Sequence, residues 1–130
     1  MLVVRGDDGL DELTTTTTST MWVVSGGEVR RETLDPSDLG VPAASREDLR
    51  GGDPAHNAAV VRALVAGKPG PVRDAVLLNA AGALVAFDGV AARPTDAFPD
   101  ALVRAAAAVD SGAAAALLAR WADVSTALRG

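Results

Sequence analysis

The chain has 130 residues and a mass of 13.1 kDa, enough for one domain that buries a core. A net charge of -5 and a pI near 4.7 exclude nucleic acid or an anionic membrane surface as the main partner. The lack of cysteine excludes disulfides and thiol catalysis and is compatible with a reducing cytoplasm. Apolar residues make up 48% of the chain and aromatics only 3%, so the core must be built from Ala, Val and Leu. Such small side chains pack closely and tolerate little added volume. Met1-Leu2-Val3-Val4 gives way at once to charge and glycine, unlike a signal peptide. The most apolar segment, Ala75 to Phe87, is too short to span a bilayer. A soluble, cytoplasmic protein is expected.

In chain order, Leu2-Val3-Val4 reads as a buried strand leading into Gly6-Asp7-Asp8-Gly9-Leu10-Asp11-Glu12-Leu13, where four carboxylates fall within six residues. Adjacent carboxylates repel, so Asp11 beside Glu12 calls for water or a cation. Mg2+ suits that need, since it takes one or two carboxylates, keeps several waters and bridges to phosphates. A solvated acidic turn is the plainer reading of the charge pattern alone. Thr14 to Thr18, then Ser19 and Thr20, form a hydroxyl-rich run ending in Met21-Trp22-Val23-Val24. Threonine is β-branched, so the run is expected to be extended strand filler rather than a phosphate-binding element. Ser25-Gly26-Gly27 supplies a turn and Glu28 to Leu34 alternates like a second strand, predicting a hairpin.

Residues 35 to 52 are charged and broken by Pro36, Gly40 and Pro42, which predicts an ordered connector. No apolar strand precedes Gly51-Gly52-Asp53, as a phosphate-cradling glycine loop would require; Asp53 reads instead as an N-cap with Pro54 at the first helical position. The helix from Pro54 to about Ala66 places Ala58, Val61, Leu64 and Val65 on one face and stops at Gly67-Lys68-Pro69-Gly70. A second helix, Pro71 to Phe87, is apolar around most of its circumference and should be central to the core. Asn79 inside it needs a partner if buried and is expected to tie the helix to a neighbouring backbone. Asp88-Gly89 ends this helix and Arg93-Pro94-Thr95-Asp96 begins the next, with Thr95 or Asp96 as cap and Leu102, Val103, Ala106 and Val109 as buried stripe. Ser111 should cap a last helix bearing Leu117, Leu118, Trp121, Val124 and Leu128, with Trp121 as a core plug. The predicted class is α/β within a single domain over residues 1–130: a few-stranded sheet, made of an early strand plus a hairpin, followed by about four packed helices.

Most chemistries are excluded. His56 is the only histidine, so zinc cannot be bound by the usual N and S ligands. No Gly-x-Ser-x-Gly elbow accompanies His56, and neither a Walker loop nor a dinucleotide fingerprint occurs. His56 is therefore expected to be a surface or first-turn residue. The Asp11–Glu12 pair is the one constellation left with a mechanism attached.

The wording of that loop carries further information. Leu2-Val3-Val4 followed by Gly6 to Thr14 resembles the strand and Asp-Glu loop of anthranilate phosphoribosyltransferase. Gly51-Gly52-Asp53 with Asn57-Ala58, then Leu77-Leu78-Asn79-Ala80-Ala81, then Asp110-Ser111-Gly112 opening an Ala/Leu helix resemble the same family in the same order. The resemblance covers the C-terminal part of that family. It implies transfer of phosphoribosyl from phosphoribosyl pyrophosphate (PRPP) to anthranilate in tryptophan biosynthesis, with Mg2+ as cofactor. By motif, the family's metal-binding Asp-Glu pair falls on Asp11 and Glu12; no ligand role is carried onto Asp7 or Asp8. The resemblance further implies a homodimer for the full-length family.

Departures from the family pattern are specific. The Gly-Thr-Gly-Gly-Asp pyrophosphate loop, the Lys-His-Gly-Asn motif and the Arg for anthranilate belong upstream of the matched region and are not found in this chain. Arg5 stands where the family usually has His, and Ala113 where Lys often follows Asp-Ser-Gly. The expectation is a fragment of a larger transferase domain, inactive alone and complemented by an N-terminal segment, because substrate positioning contributes much of the rate. A pyrimidine-nucleoside phosphorylase of the same fold, or a non-catalytic remnant or partner module, are the alternatives.

Overall fold

A computed structural model describes residues 1–89 and 93–129. The first third of the chain forms an antiparallel sheet of three strands, β1 (Leu2–Gly6), β2 (Ser19–Ser25) and β3 (Glu28–Leu34), with β2 in the middle. Gly26 and Gly27 sit at φ 60° and 81°, the two left-handed positions that a two-residue hairpin needs. The register pairs Val4 with Met21 and Met21 with Glu32, and Ser19, Met21 and Val23 on one face of β2 are fully buried. The expected early strand and hairpin are thus present. The threonine run departs from expectation: residues 14–18 are irregular, and the strand begins only at Ser19.

After β3, Asp35 accepts hydrogen bonds from the Ser37 N–H and hydroxyl (2.9 and 2.7 Å) and starts a short 3-10 turn, Pro36–Leu39. The connector that follows is pinned at two points. Ala44 N–H donates to the Thr15 carbonyl at 2.9 Å, and the Arg46 guanidinium donates to the Asp8 carbonyl at 2.7 Å.

Four helices follow, α1 (Pro54–Val65), α2 (Pro71–Phe87), α3 (Phe98–Asp110) and α4 (Ala113–Ala127). Asp53 caps α1 by accepting from His56 N–H at 2.8 Å, with Pro54 in the first turn, as its position predicts. Gly67, at φ 86°, closes α1: its N–H reaches the Leu64 carbonyl and that of Lys68 reaches Ala63, a Schellman pair. The predicted apolar face of α1 is only half covered, and Val61 is exposed. In α2, by contrast, Leu78, Ala81, Gly82 and Val85 form a buried stripe. Together with Leu13, Met21, Leu34, Phe98 and Ala101 this stripe forms the core, between one face of the sheet and the α2–α3 pair. Arg73 near the start of α2 pairs with Asp110 at the end of α3 (3.0 Å), so the two helices pack antiparallel.

Four helix-level expectations are corrected, the last being the cap expected of Ser111. The stripe of α3 is Phe98, Ala101, Ala105 and Val109, because Phe98 is fully buried and sets the phase, which leaves Val103 exposed. Neither Thr95 nor Asp96 caps α3. Both lie in a 3-10 turn, Pro94–Ala97, and α3 starts at Phe98-Pro99, where the proline has no N–H to satisfy. Trp121 is no core plug. It is 70% exposed, as are Leu117, Val124 and Leu128 in large part, and only Ala114, Ala115 and Leu118 of α4 reach half-burial or better. Ser111 ends α3 while Gly112, at φ 79°, takes the N-cap position of α4; the Ser111 hydroxyl accepts from Ala113 N–H at 3.4 Å. Among the described residues no single helix is long and apolar enough to cross a membrane.

Candidate functional site

The loop between β1 and β2 carries the four carboxylates, and its backbone is fixed before any side chain is considered. Gly6 N–H donates to the Leu10 carbonyl and Gly9 N–H to the Gly6 carbonyl, both at 2.9 Å, with Gly9 at φ 100°. Space at Gly6 is tight: a Cβ there would stand 2.4 Å from Asp8 Oδ1 and 3.1 Å from the Thr14 side chain. Glycine is required at both positions for different reasons, conformation at one and close approach at the other.

The threonine run folds back over the first acidic pair. Thr14 and Thr16 hydroxyls donate to Asp8 Oδ2 at 2.7 and 2.5 Å. Thr18 and Thr20 hydroxyls donate to Asp7 Oδ2 and Oδ1 at 2.6 and 3.0 Å. Hydroxyls at alternate positions thus serve two neighbouring carboxylates, which is why the run does not extend the strand. The Thr18 and Thr20 donors, with Arg31 and Arg5 nearby, hold the Asp7 carboxyl below its usual range. Burial pushes Asp8 upward, but the hydroxyls of Thr16 and Thr14 and the Leu10 N–H outweigh it, and Asp8 is also held low.

Asp11 and Glu12 stand differently. Both are exposed, and among the described residues no hydrogen bond or ion pair engages either carboxylate. Immediately after them Leu13 turns inward to 2% exposure. Its N–H donates to Asn79 Oδ1 at 2.9 Å and its carbonyl accepts from Asn79 Nδ2 at 2.8 Å, so Asn79 ties α2 to a neighbouring backbone as expected.

The loop, the connector and α2 enclose a cleft of about 750 Å³. Glu12, Asp8 and Thr16 line one side, Arg46 and Leu49 of the connector another, and Val72, Ala75, Val76 and Asn79 of α2 the floor. Glu12 therefore reaches the cleft, whereas Asp11 is not among its lining residues. Arg46 is the only cationic residue of that lining, and sequence reasoning missed it together with Asp8 and Thr16. The alternation of hydroxyls after an Asp-Asp pair was a signal available for Asp8 and Thr16; nothing in the sequence pointed to Arg46. His56 lies exposed in the first turn of α1, in keeping with its expected surface role.

Among the described residues no group of three or more His, Asp or Glu side chains is gathered to hold a metal by protein ligands alone. The donor set still fits Mg2+, which is commonly bound through one or two carboxylates with water and substrate oxygens completing the shell. Two free, exposed carboxylates, of which Glu12 lines the cleft, satisfy that requirement; Asp7 and Asp8, already engaged by hydroxyl donors, do so less well.

Comparison with known proteins bears on the whole chain. Residues 1–115 match the family model described as "Glycosyl transferase family, a/b domain". The anthranilate phosphoribosyltransferase of Rhodococcus jostii (strain RHA1) is 59% identical over 128 residues, covering 98% of this chain and 35% of that protein. The crystal structure of anthranilate phosphoribosyltransferase from Thermus thermophilus is 34% identical with a TM-score of 0.74, covering 92% of this chain and 34% of that one. The Saccharomyces cerevisiae enzyme in complex with PRPP and Mg has the same fold, with a TM-score of 0.75 at 22% identity over 85% of this chain and 31% of that one. The chain spans about a third of the length of the curated relatives it matches (35%, 36% and 34%). The sheet followed by four helices matches these structures as a fold, and residues 1–115 match the family model, so the chain belongs to the glycosyl transferase family, a/b domain.

Proposed function

We propose that this chain supplies the divalent-cation loop and cleft wall of an anthranilate phosphoribosyltransferase acting in tryptophan biosynthesis in the cytoplasm. The single observation that carries the reading is the division of the loop. Asp7 and Asp8 are held by threonine hydroxyls, while Asp11 and Glu12 are left exposed and unengaged, with Glu12 lining the cleft. The relatives named above, and the PRPP and Mg in one of them, support it.

In the reaction the anomeric carbon–oxygen bond of PRPP breaks, a carbon–nitrogen bond to anthranilate forms, and pyrophosphate and an amine proton leave. Asp11 and Glu12 would hold Mg2+, which when bound neutralises charge on the departing pyrophosphate. The residues of this chain otherwise orient and shield. Val72, Ala75 and Val76 give the cleft an apolar floor, and Arg46 offers a cation to an anionic substrate group. Groups that grip the rest of PRPP come from a complementary N-terminal segment, and the complete enzyme assembles as a homodimer.

Anthranilate fluorescence provides the test. With PRPP and Mg2+, the 130-residue chain alone should leave the signal unchanged. Co-expression with an N-terminal segment from a full-length relative should make it decay, and Asp11→Asn with Glu12→Gln should abolish that decay. Decay that persists in the double variant would remove the metal role. Phosphorolysis of a pyrimidine nucleoside in its place would reassign the substrate.

A further inference from the structure

The two carboxylates of the proposed cation site are exposed, yet the residues on either side of them are held. On one side, Leu10 accepts from Gly6 N–H at 2.9 Å and donates its own N–H to Asp8 Oδ1 at 3.2 Å. On the other, Leu13 is gripped at both backbone groups by one side chain, Asn79, from 66 residues away. The N–H that Asn79 Oδ1 accepts belongs to the peptide joining Glu12 to Leu13, so the grip acts one bond beyond Glu12 itself.

The amide of Asn79 has little left to offer a ligand. Its Nδ2 also donates to the Ala75 carbonyl, one turn earlier in α2, at 3.0 Å, so both amide hydrogens and the oxygen are engaged. The side chain of Leu13 is seated on the same helix. A Cβ at Gly82 would lie 3.0 Å from Leu13 Cδ1, so the glycine leaves a notch that the leucine fills. Leu13 is thus fastened to α2 at two points one turn apart, by its backbone at Asn79 and by its side chain at Gly82.

We infer that Asn79 is a positioning residue for the Asp11–Glu12 cation site, acting through Leu13 and not by touching substrate or ion. The inference rests on the metal reading proposed above. Two carboxylates on a free loop must be ordered as the ion arrives; a two-residue span clamped at both ends has lost that freedom beforehand. Outer partners that orient metal ligands commonly contribute about 10–100-fold in affinity.

Mn2+ titrated into the 130-residue chain and followed by EPR measures the affinity without requiring catalysis. Asn79→Ala should weaken Mn2+ binding about tenfold or more. Gly82→Ala should weaken it in the same direction by displacing Leu13 from its side-chain seat. Val109→Ala, a core truncation away from the loop, should lower the melting temperature and leave the affinity unchanged. A cooperatively melting Asn79→Ala chain with wild-type affinity overturns the inference and leaves the metal site standing. Mn2+ binding that survives Asp11→Asn with Glu12→Gln, or no binding by the wild-type chain, removes the metal site and the inference together. If Asn79→Ala does not fold, Gly82→Ala decides, and unchanged affinity there overturns the inference.

Discussion

Asp7-Asp8 and Asp11-Glu12 occupy one loop, carry the same charge and are separated by two residues, but they meet different surroundings. The first pair receives four threonine hydroxyls and becomes part of the scaffold. The second receives none and faces solvent, with Glu12 on the cleft. Charge count treats the pairs as equal. What separates them is donor supply: a carboxylate that neighbouring hydroxyls engage is tied into the fold, and one that no protein donor engages is open to an ion.

That contrast can be broken from the structural side first. Asp8→Ala should cost about 1–3 kcal/mol, because the buried Thr14 hydroxyl, the Thr16 hydroxyl and the Leu10 N–H lose their acceptor together. A urea midpoint equal to that of the wild type would show that the hydroxyls find other acceptors.

Acid sharpens the same contrast more gently. Asp7 and Asp8 titrate below the ordinary carboxylate value of 3.8 in the folded chain. A depressed folded pKa contributes stability that is fully present above the unfolded value and is lost as pH falls through the folded one. The urea midpoint should therefore be insensitive to these groups above about pH 5 and decline below their unfolded value. Thr16→Val with Thr18→Val, which removes one donor from each carboxylate, should flatten that decline. An unaltered acid limb would assign it to other groups.

The smallest effect on stability belongs to the second pair. Asp11→Asn with Glu12→Gln should shift the unfolding free energy by no more than about 0.5 kcal/mol, as for other exposed sites free of special contacts. Mn2+ binding should vanish in the same protein. A large loss of stability would move these residues into the scaffold class.

Much of this organisation was legible in the sequence, and the misreadings have physical causes. Asp53-Pro54 and Gly26-Gly27 were readable because each fixes one local conformation whatever surrounds it. The core role of α2 was readable because few of its positions are polar. Asn79 was legible as a tether, but its partner Leu13 was not, since nothing local links residues so far apart. The threonine run was misread because β propensity is weak beside hydrogen bonds from hydroxyl to neighbouring carboxylate, and those depend on how the loop closes. The stripe of α3 was mis-phased because Ala and Val occupy both sides of the helix, and only the seating of Phe98 decides between them. Trp121 illustrates a different gap: periodicity marks an apolar face and says nothing about what covers it.

The chain contains two tryptophans, and their placement gives it two optical reporters with unlike addresses. Trp22 is half-buried in β2, paired across the sheet with Val3 and Arg31, so its emission follows the integrity of the sheet that carries the acidic loop. Trp121, 70% exposed on α4, emits from a water-like environment and is open to a dissolved quencher. Acrylamide can silence the second while sparing much of the first. Intrinsic fluorescence can therefore follow the sheet and the last helix separately in one unlabelled sample.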